Sequence, residues 1–115
     1  MIIRRDSALH IAFEGTDIYD YTAGKPGPSS VGVIEVPAGA GHRAAYSRRS
    51  DKYYYVVAGR LTFALDGEEE NLDPGDLCFV AAGRRFAYRN ATMAPASLIL
   101  VHTPPFDLAD EVFVN

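Results

Sequence analysis

The chain has 115 residues, of which 48% are hydrophobic and 23% charged, and this length and composition predict one folded domain over residues 1–115. Eleven basic and 15 acidic residues give a net charge of −4, which argues against a nucleic-acid partner. One cysteine excludes an internal disulfide and a four-cysteine zinc site, and no apolar run reaches the ~20 residues of a membrane helix. No apolar segment of the secretory type follows Arg4 and Arg5. We therefore expect a cytoplasmic protein without a membrane partner.

The first half of the chain contains short runs of β-forming residues. They predict strands over 10–14, 17–21, 31–36 and 52–57, the last of which is rich in tyrosine and valine. Residues 23–30 contain glycines and prolines, which are unfavourable for the regular hydrogen bonding of a strand. This segment is therefore expected to form a loop.

The second half has a regular strand rhythm. Glycines recur every eight residues, at Gly59, Gly67, Gly75 and Gly83. They separate predicted strands over 60–65, 68–72 and 77–80, and two more strands are expected over 85–89 and 97–103. No helix of ten or more residues is predicted. Short strands at this spacing indicate an all-β sandwich or barrel.

Two stretches have a more specific pattern. Residues 39–61 and residues 75–90 resemble the first and second motifs of the cupin family. Gly59 closes the first motif, and Gly75, Gly83 and Asn90 stand at the spacing of the second. The resemblance implies a single-domain cupin jelly-roll β-barrel built from two antiparallel sheets.

The positions that hold the metal ligands in cupins carry other residues here. The resemblance places them on Ala45, Ser47, Lys52 and Phe86, or on Tyr46 and Arg48 for the first two if a shorter spacing is used. None of these is a usual ligand, so we expect no metal and no other cofactor. A metal held by unorthodox ligands, such as His42, Asp51 and His102, remains an alternative.

The same positions predict what lines the barrel. If they face inward, two-residue alternation also turns Tyr54, Val56 and Tyr88 inward, whereas both faces of the last long strand are apolar and leave the orientation of His102 open. As catalytic residues we predict Lys52, Tyr54, Tyr88 and His102, and as substrate-binding residues Ala45, Ser47, Val56, Phe86 and Arg43. Burial would lower the pKa of Lys52 and make its amine a base or nucleophile near neutrality. The alternatives are a lysine that reaches solvent, tyrosines that only fill the core, and a structural histidine.

Other residues have simpler interpretations. His42 lies in a glycine-rich approach to the first motif and is expected in a loop at the barrel mouth. Glu35 faces either the pocket or solvent. Tyr53 and Tyr55 alternate with Tyr54 and are expected on the outer face of the strand, where they suggest a homodimer interface.

Taken together, these features favour a metal-independent cupin enzyme that converts a small organic substrate by proton transfer without redox chemistry. The reaction would be of the isomerase, cyclase, lyase or decarboxylase type. A non-catalytic cupin, with a small-molecule-binding or structural role, is the main alternative, because fold alone does not determine function. A metalloenzyme with unorthodox ligands is a weaker one.

Overall fold

A computed structural model describes residues 1–114, which form two antiparallel sheets that face each other. The strands are β1 (Leu9–Phe13), β2 (Thr16–Asp20), β3 (Ser30–Val36), β4 (Gly41–Ser47), β5 (Asp51–Ala58), β6 (Leu61–Leu65), β7 (Glu68–Leu72), β8 (Leu77–Val80), β9 (Phe86–Arg89), β10 (Ala96–Thr103) and β11 (Glu111–Phe113). The larger sheet has the strand order β1-β2-β3-β10-β5-β8, and the smaller has the order β11-β4-β9-β6-β7. Helical structure in residues 1–114 is limited to 3-10 turns at Arg5–Ser7 and Leu108–Asp110.

This architecture confirms the all-β prediction. The nine strands whose limits were predicted from the sequence all form, each within one residue of the expected bounds. β4 and β11 had no predicted limits, and they lie side by side at one edge of the smaller sheet. Within residues 1–114, no helix is long and apolar enough to cross a lipid bilayer.

The core lies between the two sheets and follows the alternation of the strands. Along β10, alternate residues from Ala96 to His102 are buried, so His102 faces the interior with 5% of its surface exposed. On β3, Ile34 and Val36 are buried and Glu35 turns to the outer face. The two orientations that the sequence left open are therefore fixed by the pairing of β10 with β3 and β5.

A β-bulge interrupts the alternation of β4. His42 pairs with Tyr88 and Ala45 pairs with Phe86, so three steps along β4 match two steps along β9. The extra residue turns both His42 and Ala45 toward the interior and leaves Arg43 outside. The expectation that His42 lies in a loop was wrong, because the strand begins at Gly41.

Gly41 allows the close approach that starts this strand. A Cβ atom at this position would lie 2.2 Å from the carbonyl oxygen of Tyr88 and 2.7 Å from the Cα of Arg89. No side chain can be accommodated at such distances. The glycine therefore holds the beginning of β4 against β9, which places His42 beside Tyr88.

Candidate active site

A cavity of about 250 Å³ opens between the two sheets. This volume far exceeds the roughly 10–15 Å³ that one water molecule requires, so the cavity has room for a small organic molecule. Its wall is mainly apolar and aromatic, with a few polar groups. The lining residues are Ile11, Phe13, Ile18, Asp20, Ser30, Val31, Gly32, Ile34, His42, Lys52, Tyr54, Tyr88, Leu100, His102, Phe106, Leu108, Glu111 and Phe113.

A buried ion pair crosses this cavity from one sheet to the other. Lys52 on β5 donates to the carboxylate of Glu111 on β11, and the two side chains are 3% and 6% exposed. The ammonium also lies 4.5 Å from the centre of the Phe86 ring. Burial lowers the pKa of Lys52, and the neighbouring Glu111 opposes that shift. Lys52 is thus held inside the barrel by a carboxylate that the sequence analysis did not consider.

His42 is a neutral imidazole that can act as a base. Its Nδ1–H donates a hydrogen bond of 2.6 Å to the carbonyl oxygen of Arg43, which leaves the lone pair on Nε2. Burial, followed by the charge of Lys52, lowers the pKa of His42 to about 4, so the ring is uncharged at neutral pH. Aromatic rings surround it, with Phe13 and Phe86 centred 4.9 Å away.

One phenol group lies next to this histidine, and a second lies next to the first. The Tyr88 ring is centred 5.7 Å from that of His42 and 5.5 Å from that of Tyr54. Burial raises the pKa of both tyrosines above their ordinary value, so both hydroxyls keep their protons. Both residues line the cavity. A phenol that keeps its proton can donate a hydrogen bond to a molecule bound there.

His102 forms the wall beside Lys52. The two residues are direct partners across β10 and β5, and the His102 ring packs edge-on against Phe106 at 5.2 Å. Its Nε2 is buried and has no partner among the described residues. Burial, with the charge of Lys52 adding to it, lowers the pKa of His102 to about 3. This histidine is also neutral at physiological pH.

The four residues that the motif resemblance assigns to the usual cupin ligand positions do not fit a metal. Ala45, Ser47, Lys52 and Phe86 offer a methyl group, a hydroxyl, an ammonium and a phenyl ring, all buried. Nowhere in residues 1–114 do three or more His, Cys, Asp or Glu side chains come together as a metal site. Of the alternative ligands, Asp51 lies outside the cavity and accepts a hydrogen bond of 2.9 Å from the Ala82 amide.

The four residues predicted as catalytic all line the cavity, whereas the five predicted to bind substrate do not. Ala45, Ser47, Val56 and Phe86 are buried in the surrounding core. Ser47 accepts hydrogen bonds from the amides of Arg49 and Ser50, so its hydroxyl supports the turn after β4. The Arg43 side chain is 52% exposed, pairs with Glu14 at 3.4 Å and lies over the Phe113 ring. The roles of all nine residues remain predictions.

The sequence analysis did not assign four polar residues of the lining to the site, namely Asp20, Ser30, His42 and Glu111. His42 was hidden by the bulge, which reverses the orientation expected from simple alternation. Glu111 lies in the short segment Glu-Val-Phe, whose β-forming residues were the only available signal for β11. A three-residue strand carries too little pattern to be distinguished from a loop.

Comparison with known proteins agrees with the fold described above. The family profile described as a cupin domain matches residues 32–102, which is more than half of the chain. This protein is a cupin. The match covers both motifs and the strands that bear Lys52, Tyr54, Tyr88 and His102.

Three related proteins and structures are informative about this cupin. It is 33% identical over 84 residues to the tetracenomycin polyketide synthase protein TcmJ of Streptomyces glaucescens, with 67% of this chain and 56% of that protein aligned. The cupin thus spans little more than half the length of that relative. The structure of Pac13, described as a nucleoside dehydratase, has a TM-score of 0.87 and 25% identity, with 100% of this chain and 91% of that chain covered. A histidine-to-glutamine variant of Streptomyces PAC13 with uridine gives a TM-score of 0.86 and 25% identity, covering 99% and 90% of the two chains.

Proposed function

We propose that this cupin is a lyase of the dehydratase type, which removes water from a small β-hydroxy carbonyl compound by proton transfer inside the cavity. The observation that carries the proposal is the neutral His42, with the lone pair on Nε2, in one cavity with the protonated phenols of Tyr88 beside it and Tyr54 next to Tyr88. The likeness in fold to Pac13, a nucleoside dehydratase, supports the same reaction class.

The first step is removal of a proton. Nε2 of His42 takes the proton from the carbon next to the substrate carbonyl, and negative charge develops on the carbonyl oxygen. The hydroxyls of Tyr54 and Tyr88 stabilise that oxygen by donating hydrogen bonds, because their raised pKa values keep them protonated. In an apolar cavity such preorganised donors are more effective than they would be in water.

The second step is loss of the hydroxyl group. With its pKa lowered to about 4, protonated His42 is a strong enough acid to return the proton to the departing hydroxyl oxygen. One C–H bond and one C–O bond are broken, a C=C bond forms, and water leaves. His42 returns to its neutral state, so the balance requires no oxidant, reductant or cofactor.

The substrate panel for a test follows from the two relatives. It consists of β-hydroxy aldehydes and ketones on nucleoside and polyketide-like aromatic frameworks, and turnover is detected by mass spectrometry as the loss of one water. We expect His42→Gln to lower kcat/KM by roughly 100-fold or more, which is the ordinary contribution of a general base. His10→Gln is the matched control, since His10 is exposed and paired with Asp17 outside the cavity.

Two results would contradict this proposal. Dehydration by His42→Gln at the wild-type rate would show that another group takes the proton. Saturable binding of the panel without any loss of water would favour the non-catalytic alternative, in which the cupin only holds its ligand.

A further inference from the structure

The inward positions of the larger sheet form rows that run across its strands. In one row Asp20 on β2 pairs with Gly32 on β3, Gly32 pairs with Leu100 on β10, and Leu100 pairs with Tyr54 on β5. All four residues line the cavity. Gly32 has no side chain to separate Asp20 from the other two. The cavity therefore extends over β3 as far as the Asp20 carboxylate.

One oxygen of this carboxylate is used by the protein. Oδ1 of Asp20 accepts hydrogen bonds from the amide of Thr22 at 3.0 Å and from its hydroxyl at 3.2 Å. Both of these bonds go to Oδ1, and Asp20 lines the cavity. The two bonds to Thr22 fix the carboxylate and leave Oδ2 available as an acceptor for a bound molecule.

The charges around the cavity do not cancel. Lys52 and Glu111 together contribute no net charge, wherever the shared proton lies between them. His42 and His102 are neutral, because burial lowers their pKa values to about 4 and about 3. Asp20 is the remaining charged residue of the lining, which leaves the cavity with one net negative charge. An anionic ligand would be repelled by this charge, because the apolar surroundings of the cavity screen charges poorly.

We propose that Asp20 forms a subsite for a hydroxyl or ammonium group of the substrate, and that the cavity selects neutral or cationic molecules over phosphates and carboxylates. The inference rests on the proposed function only in placing the substrate in this cavity. It identifies the substrate class by charge and assigns Asp20 as a residue that determines specificity.

Three aromatic probes of similar size test this selection. Benzyl alcohol, benzylamine and benzoate differ in charge, and each can pack against the aromatic wall. NMR titration of the wild-type protein is expected to show binding of benzylamine and benzyl alcohol, with benzoate at least about tenfold weaker.

Substitution of Asp20 then assigns the effect to this subsite. Asp20→Asn keeps an oxygen for the bonds to Thr22 but loses the charge, so we expect benzylamine to bind about tenfold more weakly. Benzyl alcohol is expected to change by less than about threefold, since a neutral group loses only part of its hydrogen bond. Asp17→Asn on the same strand is the matched control, because Asp17 is exposed and paired with His10. Asp20→Ser is a second variant that retains an acceptor should the asparagine variant fold poorly.

Several results would overturn the assignment. Benzoate could bind the wild type as tightly as benzylamine, benzylamine could bind Asp20→Asn with unchanged affinity, or none of the probes could bind at millimolar concentration. None of these measurements depends on turnover. Failure of the dehydratase proposal, which is tested on His42, is therefore distinguishable from failure of this subsite.

Discussion

At the scale of single residues, the buried pair of Lys52 and Glu111 carries a large desolvation cost. Each charge has left water, and each depends on the other for compensation. Glu111→Gln leaves an unpaired ammonium inside the barrel. We expect this change to lower the free energy of unfolding by roughly 3–5 kcal/mol, measured by urea denaturation at pH 7.

A double variant separates the loss of the pair from the loss of packing. Lys52→Met with Glu111→Leu replaces both charges by apolar groups, and such replacements of buried pairs are often neutral or stabilising. The double variant should therefore be more stable than Glu111→Gln alone. Equal instability of the two would show that the shape of these side chains, rather than their charge, holds the sheets together.

Inward residues were predictable from the sequence wherever the strands are regular. Lys52, Tyr54 and Tyr88 follow the two-residue alternation from the motif positions, and the structure buries all three. His102 was not predictable in this way, because both faces of β10 are apolar. Its orientation depends on pairing with β3 and β5, which is a property of the sheet and not of the strand.

At the scale of elements, the bulge in β4 decides which residues reach the cavity. Arg43 and Ala44 together oppose Ala87, so removing Ala44 would convert the bulge into regular pairing without reversing His42. We expect a deletion of Ala44 to keep the fold and the orientation of His42, at a cost of about 1 kcal/mol for one lost hydrogen bond. NMR of the His42 ring and thermal unfolding provide the measurement.

The matched control is a deletion of Ala64, which faces the same Ala87 from the regular strand β6. In this regular strand, the missing residue moves the inward side chains on one side of the deletion to the outer face. We expect the protein to lose its fold or several kcal/mol of stability. If deleting Ala44 were as damaging as deleting Ala64, the bulge would have a structural role beyond its register.

At the scale of the whole molecule, two neutral histidines that line the cavity make the stability of the fold depend on pH. The unfolded chain binds protons at both histidines near pH 6.5, whereas the folded state binds them only near pH 4 and pH 3. The stabilisation that comes from keeping both histidines neutral is therefore complete above about pH 6.5. It decreases as the pH is lowered from about 6.5 toward the folded-state pKa values.

Between pH 7 and pH 5 we expect each of the two histidines to remove about 2 kcal/mol from the free energy of unfolding. Urea denaturation at the two pH values measures this loss. His42→Gln and His102→Gln should each reduce it by about half. A wild-type protein that is equally stable at both pH values would contradict the assignment of neutral histidines in the folded state.

The outer face of the larger sheet bears the exposed apolar residues Tyr53, Tyr55, Val57, Leu77 and Phe79. These residues are uncharged, so two copies can pair about a two-fold axis without repulsion between like charges. We propose that this face forms the homodimer interface predicted from Tyr53 and Tyr55. Analytical ultracentrifugation should give a dimer for the wild type and a monomer for Tyr55→Lys.

Met93→Lys is the control for that experiment. Met93 is 96% exposed and lies in the turn before β10, away from the sheet face, so this variant should remain a dimer. A monomeric wild type would leave the apolar face without a second copy and would rule out this interface.

The contact between Lys52 and Glu111 joins residues that are 59 positions apart, and this separation has a consequence for biosynthesis. As the ribosome synthesises the chain, the lysine emerges long before the carboxylate that compensates it. Until then, placing the ammonium between the sheets would bury an unpaired charge, which is unfavourable. We therefore expect the barrel to stay open at this stage. Completion of the cavity is thereby coupled to the synthesis of β11, which favours closure after this segment has emerged over closure of a shorter nascent fragment.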